Sequence, residues 1–408
     1  MKKKAETDKK HLQQPRRILI GRLLDGTGAS ASQNILMTIE EGCITEMHPF
    51  FDGEVLPEGL WHDLSGHTVM PPLLDCHVHL AFSGGAGQSG RQTRRYETLK
   101  PTIARHIQDC LEHGVLGGRD GGDPSGNVLH FKSTDLKTKD NGFRLNAAGT
   151  AWHREGRYGK LIGRAIPGDQ DPLAVIVGGT GAGIDHIKLI QSGLNSLTDF
   201  GRQTLPQFDE DTIRRIYSFS MRRGFSLMIH ANGEAPVAAA IAGGCDSIEH
   251  GYFMGDENLR RMADARIAWV PTIMPMKAYA DHSPKGSIEH DTARRTLDHQ
   301  LEQLSKARDY GVPVALGTDS GSPGVLHGEA VWEEVKLLNV AGYTLEEAIF
   351  CATLNATLLL KTDLPGYLEV GMPATFIVVK GEAGDVLEPG GVEMVMVEGR
   401  VLTEKKSA

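Results

Sequence analysis

Several features are scarce in this 408-residue chain, and each scarcity excludes a class of protein. No run of about 18 apolar residues is present, so no segment reads as a bilayer-spanning helix. No apolar stretch follows the basic start, so no secretory signal is expected and the location predicted is cytoplasmic. Positive charge is in deficit: 43 Lys and Arg against 52 Asp and Glu leave a net charge of -9. That argues against nucleic acid as a partner, because backbone binding needs clustered cations to displace counterions. The five cysteines (Cys43, Cys76, Cys110, Cys245, Cys351) form no Cys-x-x-Cys pair, which suits small core residues in a reduced compartment better than a disulfide framework. A Gly-x-Ser-x-Gly elbow is also missing, and with it the signature of a serine hydrolase.

What is present is ordinary globular material, 40% hydrophobic and 23% charged. Lys2, Lys3, Lys4, Lys9, Lys10, Arg16 and Arg17 lie among polar residues, so 1–16 reads as a solvated, disordered basic tail. Residues 17–71 and 366–408 share short, β-branched, Gly-punctuated runs and are expected to pair into a small β-sandwich. Between them, 72–365 alternates short apolar runs with helical stretches. Eight strands are predicted at 73–79, 115–119, 145–150, 184–190, 226–230, 246–249, 267–271 and 313–317, with helices at 102–112, 210–223, 236–242, 292–310 and 345–360. Thr344 and Glu347 would form a capping box for the last of these. Eight strands with intervening helices predict an α/β fold, a closed (β/α)8 TIM barrel; an open doubly wound sheet is the alternative. Gly178 to Gly183 looks like a phosphate loop but precedes a strand, so it is read as a flexible loop. Residues 83–90 are Gly-rich enough to serve as a lid.

The chemistry gathers at strand ends. In Asp75-Cys76-His77-Val78-His79 the two imidazoles are spaced i, i+2, which in a strand turns both to one side and Cys76 to the other. His-x-His at the C-terminal end of a barrel strand is a natural half of a metal site. His186 and Lys188 follow on the fourth strand, His230 on the fifth, His250 on the sixth and Asp319 after the eighth. Five strands delivering ligand-type residues to one rim is hard to assign to chance. Glu234 reads as a helix N-terminal acid. His327 is close enough to the eighth strand to reach the mouth, with nothing further to support it.

The series Asp75-Cys76-His77-Val78-His79, His186-Ile187-Lys188, His230-Ala231-Asn232-Gly233, Ile248-Glu249-His250-Gly251 and Gly317-Thr318-Asp319-Ser320 resembles the amidohydrolase superfamily, in particular its prolidase-like and imidazolonepropionase-like branches. The likeness runs through nearly the whole chain. It implies two divalent metal ions, usually zinc, with His77, His79 and Asp319 on one and His230 and His250 on the other. Lys188, N6-carboxylated, would bridge them; an unmodified ammonium would face two cations. Hydrolysis of an amide, peptide or cyclic amide by a metal-bridging hydroxide is then expected, with Asp319 as proton shuttle. A carbamate, ester or C–Cl bond, deamination, or a non-catalytic metal sensor remain the alternatives. The loop Trp152-His153-Arg154-Glu155-Gly156-Arg157-Tyr158 departs from the Gly-Gly-His-Gly of the prolidase-like branch, and His153, Arg157 and Tyr158 are its candidate contacts to a small-molecule, amide or peptide-like substrate. Thr375 stands where that family usually has Asp. Relatives commonly assemble, so a homo-oligomer is expected.

Overall fold

A computed structural model of the protein describes residues 15–51, 53–55, 59–84, 95–136, 142–381 and 391–405. Most of the basic tail and most of the 83–90 segment lie outside the described residues. The chain opens with β1 (Arg16–Leu23), β2 (Ser32–Glu40), β3 (Cys43–Pro49) and β4 (Leu60–Met70). The barrel strands follow as β5 (Leu73–Val78), β6 (Val115–Asp120), β7 (Arg144–Ala147), β8 (Ala151–Arg154), β9 (Gly163–Ile166), β10 (His186–Ile190), β11 (Ser226–Ala231), β12 (Ser247–His250) and β13 (Ala268–Val270). The chain then returns as β14 (Phe376–Lys380), β15 (Val392–Val397) and β16 (Arg400–Glu404).

Both chain ends meet in one seven-stranded sheet, ordered β16-β15-β14-β4-β1-β2-β3. Ile18, Met37 and Ile44 from one half share a buried core with Phe376, Val378 and Met396 from the other. The two outer turns also touch, since a Cβ on Gly42 would lie 2.8 Å from the carbonyl oxygen of Glu398. The sandwich is therefore a single sheet doubled over on itself. Its inner faces interdigitate in the usual way of packed sheets.

The barrel has eight parallel positions. Its ladders are β5-β6-β7 and β13-β12-β11-β10-β8. β7 and β8 are two halves of the third position, broken at Gly149, whose φ of 74° falls in the left-handed region. The lower half pairs with β6 and the upper half with β10. The eighth position closes the ring through single bridges: Trp269 N–H donates to Pro313 O (2.8 Å) and Cys76 N–H to Leu316 O (2.9 Å). Along these strands the period of two separates the chemistry. Leu74, Cys76, Ile187, Leu189, Leu227 and Ile229 pack into the apolar layer shared with the helices. Asp75, His77, Arg119, His186, Lys188 and Glu249 are buried without belonging to it.

Two expectations need correction and one strand is added. Gly178 and Gly179 end the helix Pro172–Gly179 and are not loop residues; Asp171 caps its start, accepting from Ala174 N, and Pro172 is suited to its first turn. The helix expected over 345–360 is two helices, Leu345–Ala352 and Leu354–Leu360, separated by Thr353 at φ -121°, ψ -90°. The capping box at Thr344 and Glu347 is present. Finally, β9 is a strand that the sequence did not announce; it pairs parallel with β8.

Candidate metal centre and active site

Six residues from five barrel positions converge on one cavity of about 690 Å³: His77, His79, Lys188, His230, His250 and Asp319. His77 and His79 are delivered by β5 as the i, i+2 pair its period requires, with ring centroids 5.4 Å apart. His250 lies 4.9 Å from His77 and 4.6 Å from His230, centroid to centroid. Two of the six depend on unusual backbone. Regular alternation after Glu249 would turn His250 away from the barrel, and a φ of 66° at His250 accompanies its turn into the cavity. Asp319 has a φ of 56° just beyond the eighth position. Non-glycine residues held in this region store strain that surrounding structure must outweigh, and such strain concentrates at functional sites.

Proton placement decides what the cluster can hold. His77 Nδ1 lies 2.7 Å from Glu249 Oε2, and His79 Nδ1 lies 3.2 Å from the carbonyl oxygen of Gly122. Both partners only accept, so each Nδ1 carries the proton and each Nε2 presents a lone pair. Those lone pairs face Asp319 Oδ1 at 3.6 Å and 3.5 Å. Burial, reinforced by Lys188, pushes His77 well below the ordinary imidazole range and His79 to about 3. Two imidazole lone pairs and the Asp319 carboxyl thus converge, and His77 Nε2 has no hydrogen-bond partner. A cation resolves that arrangement. The imidazoles of His230, pushed to about 3, and His250, pushed well down, are likewise kept neutral chiefly by burial. Lys188 Nζ is fully buried beside them without a hydrogen-bond partner. Burial lowers its pKa against the pull of Glu249, and burial raises that of Asp319 against the hydrogen bond from Ser322. The donor set fits divalent metal.

Supporting these candidate ligands is a layer that sequence reasoning missed. Glu249 takes His77 on one oxygen and Arg119 Nη2 on the other at 2.9 Å; Arg119 also donates to Cys76 O at 2.7 Å and Ser247 Oγ at 2.9 Å. Asp75 accepts from the backbone of His77 and Thr318, joining the first and eighth positions. His250 Nδ1 is 2.6 Å from Thr272 Oγ1. Partners of this kind fix the tautomer and aim of a metal-ligating imidazole. The available signal was the period: Glu249 is two residues from Ser247 on the inward face.

The remaining candidates divide. Tyr158 lines the cavity, its ring centroid 5.5 Å from that of His230. His153 and Arg157 do not reach the cavity. The His153 ring packs over Gly159 with Nδ1 2.8 Å from Arg154 O, and Arg157 is exposed and donates to Leu205 O at 2.6 Å. His186 is buried two residues from Lys188 but does not line the cavity. Glu234 opens the helix Glu234–Gly243. His327 is buried and stacks on His106 at 4.0 Å, away from the lining.

Fold and site together define a barrel hydrolase equipped for divalent metal. The Amidohydrolase family model matches residues 169–402, more than half of the chain, and the protein belongs to that family. Ochratoxinase of Aspergillus niger is 26% identical over 343 residues, spanning 77% of this chain and 70% of that one. Probable imidazolonepropionase of Mus musculus is 28% identical over 401 residues, spanning 87% and 85%. Among solved structures, a Xaa-Pro dipeptidase with methionine bound in its active site is similar with a TM-score of 0.81 and 26% identity, covering 96% of this chain and 100% of the other. Metal-dependent hydrolysis of a carbon–nitrogen bond is the activity of the chain.

Proposed function

We propose that the protein hydrolyses the amide of an N-acyl amino acid, a peptide or a cyclic amide, with two divalent ions, zinc in the first instance. His77, His79 and Asp319 would hold one ion and His230 and His250 the other, with an N6-carboxylated Lys188 between them. The observation that carries this reading is the convergence of four neutral imidazoles, a carboxylate and an unpartnered buried lysine in one cavity. The lowered pKa of Lys188 supports its modification, because only the neutral amine adds to carbon dioxide, forming a carbamate and releasing a proton.

Bound divalent metal supplies an acidic water and a Lewis acid for the scissile carbonyl. The chain's own groups do the rest. Asp319 is positioned to take a proton from the attacking water and return it to the leaving nitrogen. Ser322 Oγ, donating to Asp319 Oδ2 at 2.9 Å, holds the carboxylate in place. The Tyr158 hydroxyl is available to donate to the carbonyl oxygen as charge develops there. His153 and Arg157 are given no contact with substrate in this reading.

A cytoplasmic setting is part of the proposal, supported by five cysteines that are all free thiols. So is assembly into a homo-oligomer, which sedimentation velocity would read directly.

Elemental analysis of purified protein should find about two metal ions per chain, and metal-free protein with full amidase activity would overturn the proposal. Asp319→Asn should lower kcat by about 100-fold or more while metal is retained, the usual scale for a lost acid–base group. Unchanged turnover of acyl-amino acids, X-Pro dipeptides and aryl amides by this variant would remove Asp319 from the chemistry.

A further inference from the structure

We propose that Lys160 is the carboxylate-recognising residue of the cavity, so that the substrates are amides bearing a free carboxylate beside a large apolar group. This deepens the proposed amide hydrolysis and rests on it for the identity of the cavity.

The loop from β8 to β9 builds this part of the cavity. Parallel pairing of Ala151 with Gly163 through Arg154 with Ile166 draws the loop's far end back against its start. Ile162 N and Gly163 N both donate to Gly159 O, at 3.1 Å and 2.9 Å. From outside, Gln207 Nε2 donates to Tyr158 O at 2.9 Å. The loop is thereby held in a conformation that turns Tyr158, Lys160, Leu161 and Ile162 together onto the cavity, while Arg157 is tied off to Leu205.

Charge then singles out one residue. Lys188 and Asp319 belong to the metal cluster. The other acid of the lining, Asp123, is committed to Ser125 N, Asn127 Nδ2 and Val128 N at 3.0, 2.9 and 3.2 Å. Lys160 makes no hydrogen bond or ion pair with any described residue. It is exposed at the mouth, where it retains its hydration until a ligand arrives. The lining it belongs to is largely apolar, with Leu161 56% and Leu194 59% exposed and Phe82 and Met276 also contributing. A lone ammonium beside apolar surface selects an amphipathic anion: the apolar part desolvates the mouth, which strengthens the charge-assisted hydrogen bond. Lys160 lines the same cavity as Tyr158 and the metal cluster, so an amide held at the cluster has its carboxylate in the space that Lys160 faces.

The test compares binding of 4-phenylbutyrate and of its neutral isostere 4-phenylbutanamide to zinc-loaded wild type, Lys160→Ala and Lys160→Arg, by calorimetry. Lys160→Ala should weaken the carboxylate about tenfold or more, the cost of one charge-assisted hydrogen bond, and leave the amide unchanged. Lys160→Arg should recover most of the loss. Any metal–carboxylate contact is common to all three proteins and cancels. Equal weakening of both ligands, an unchanged carboxylate affinity in Lys160→Ala, or no binding by wild type would each overturn the inference. Binding is read without turnover, so a protein that discriminates carboxylates in this way yet cleaves no amide would sink the proposed activity and leave Lys160 standing.

Discussion

His77 illustrates how a single candidate ligand depends on groups outside the cavity lining. Its Nδ1 proton goes to Glu249, and Glu249 is in turn the buried counter-charge of Arg119. Glu249→Gln keeps the shape but removes that charge, leaving Arg119 1% exposed and uncompensated. Breaking a buried pair from one side costs about 3–5 kcal/mol, which should appear as a clear fall in Tm. The same change frees the His77 tautomer and should weaken metal binding about 10–100-fold in a chelator competition. Normal metal affinity in a folded Glu249→Gln protein would show that His77 is oriented by something else. Asp75 plays a parallel part for the backbone, clamping His77 N and Thr318 N so that β5 and the eighth position present their ligands in register.

At the scale of elements, irregular pieces build the cavity wall that carries Tyr158 and Lys160. The loop before β9 turns at Gly159, which takes a φ of 139° with its α-carbon against the His153 ring. A Cβ there would lie 2.6 Å from His153 Cβ and Cγ. Gly159→Ala should therefore cost about 1–3 kcal/mol of stability and displace Tyr158 and Lys160 as one unit. Steady-state kinetics should show KM raised for carboxylate-bearing amides, with metal content unchanged. A variant with wild-type KM would mean that the loop does not position substrate. By contrast, the capping box of Leu345–Ala352 lies at exposed positions outside the cavity lining. Thr344→Ala should cost about 1 kcal/mol, the usual value of an N-cap, and leave turnover as it was.

The whole molecule balances two opposed sets of buried titrating groups inside one barrel. His79 and His230 are pushed from 6.5 to about 3, largely by burial. Such a histidine binds a proton more readily in the unfolded chain, so its contribution to stability is complete above about 6.5 and is lost as pH falls toward 3. Asp75 and Asp120 are raised by burial to about 6 and about 7 and act in the opposite sense, favouring the folded state as pH falls. The net profile is a balance, and the difference between two proteins isolates one term. In metal-free protein, the stability of wild type relative to His230→Asn should be greatest above pH 6.5 and decline on acidification by up to about 1.4 kcal/mol per pH unit, measured by urea unfolding at fixed ionic strength. A difference independent of pH between 7 and 4 would show that His230 is not held neutral.

The amino-acid sequence by itself determined the barrel and the gathering of ligand-type residues at its rim. Strand period places His77 beside His79 and turns Cys76 into the apolar layer, and barrel strands point their ends at a common mouth whatever lies between them. Those are local rules acting on eight similar segments. The doubled sheet was legible as two ends of like texture, though not as one continuous ladder. Tertiary structure decided the rest, because long-range partners override the local period there. Regular alternation would bury Glu249 inward and turn His250 away; a left-handed residue at the strand end brings both into use. The loop after β8 could be singled out as a candidate binding element but not its direction: pairing with β9 and the hold of Gln207 turn His153 and Arg157 aside and leave Lys160 in the cavity lining. Asp75-Cys76-His77-Val78-His79 declares two candidate metal ligands, while the partners that aim them, Glu249 and the carbonyl of Gly122, lie more than forty residues away in sequence.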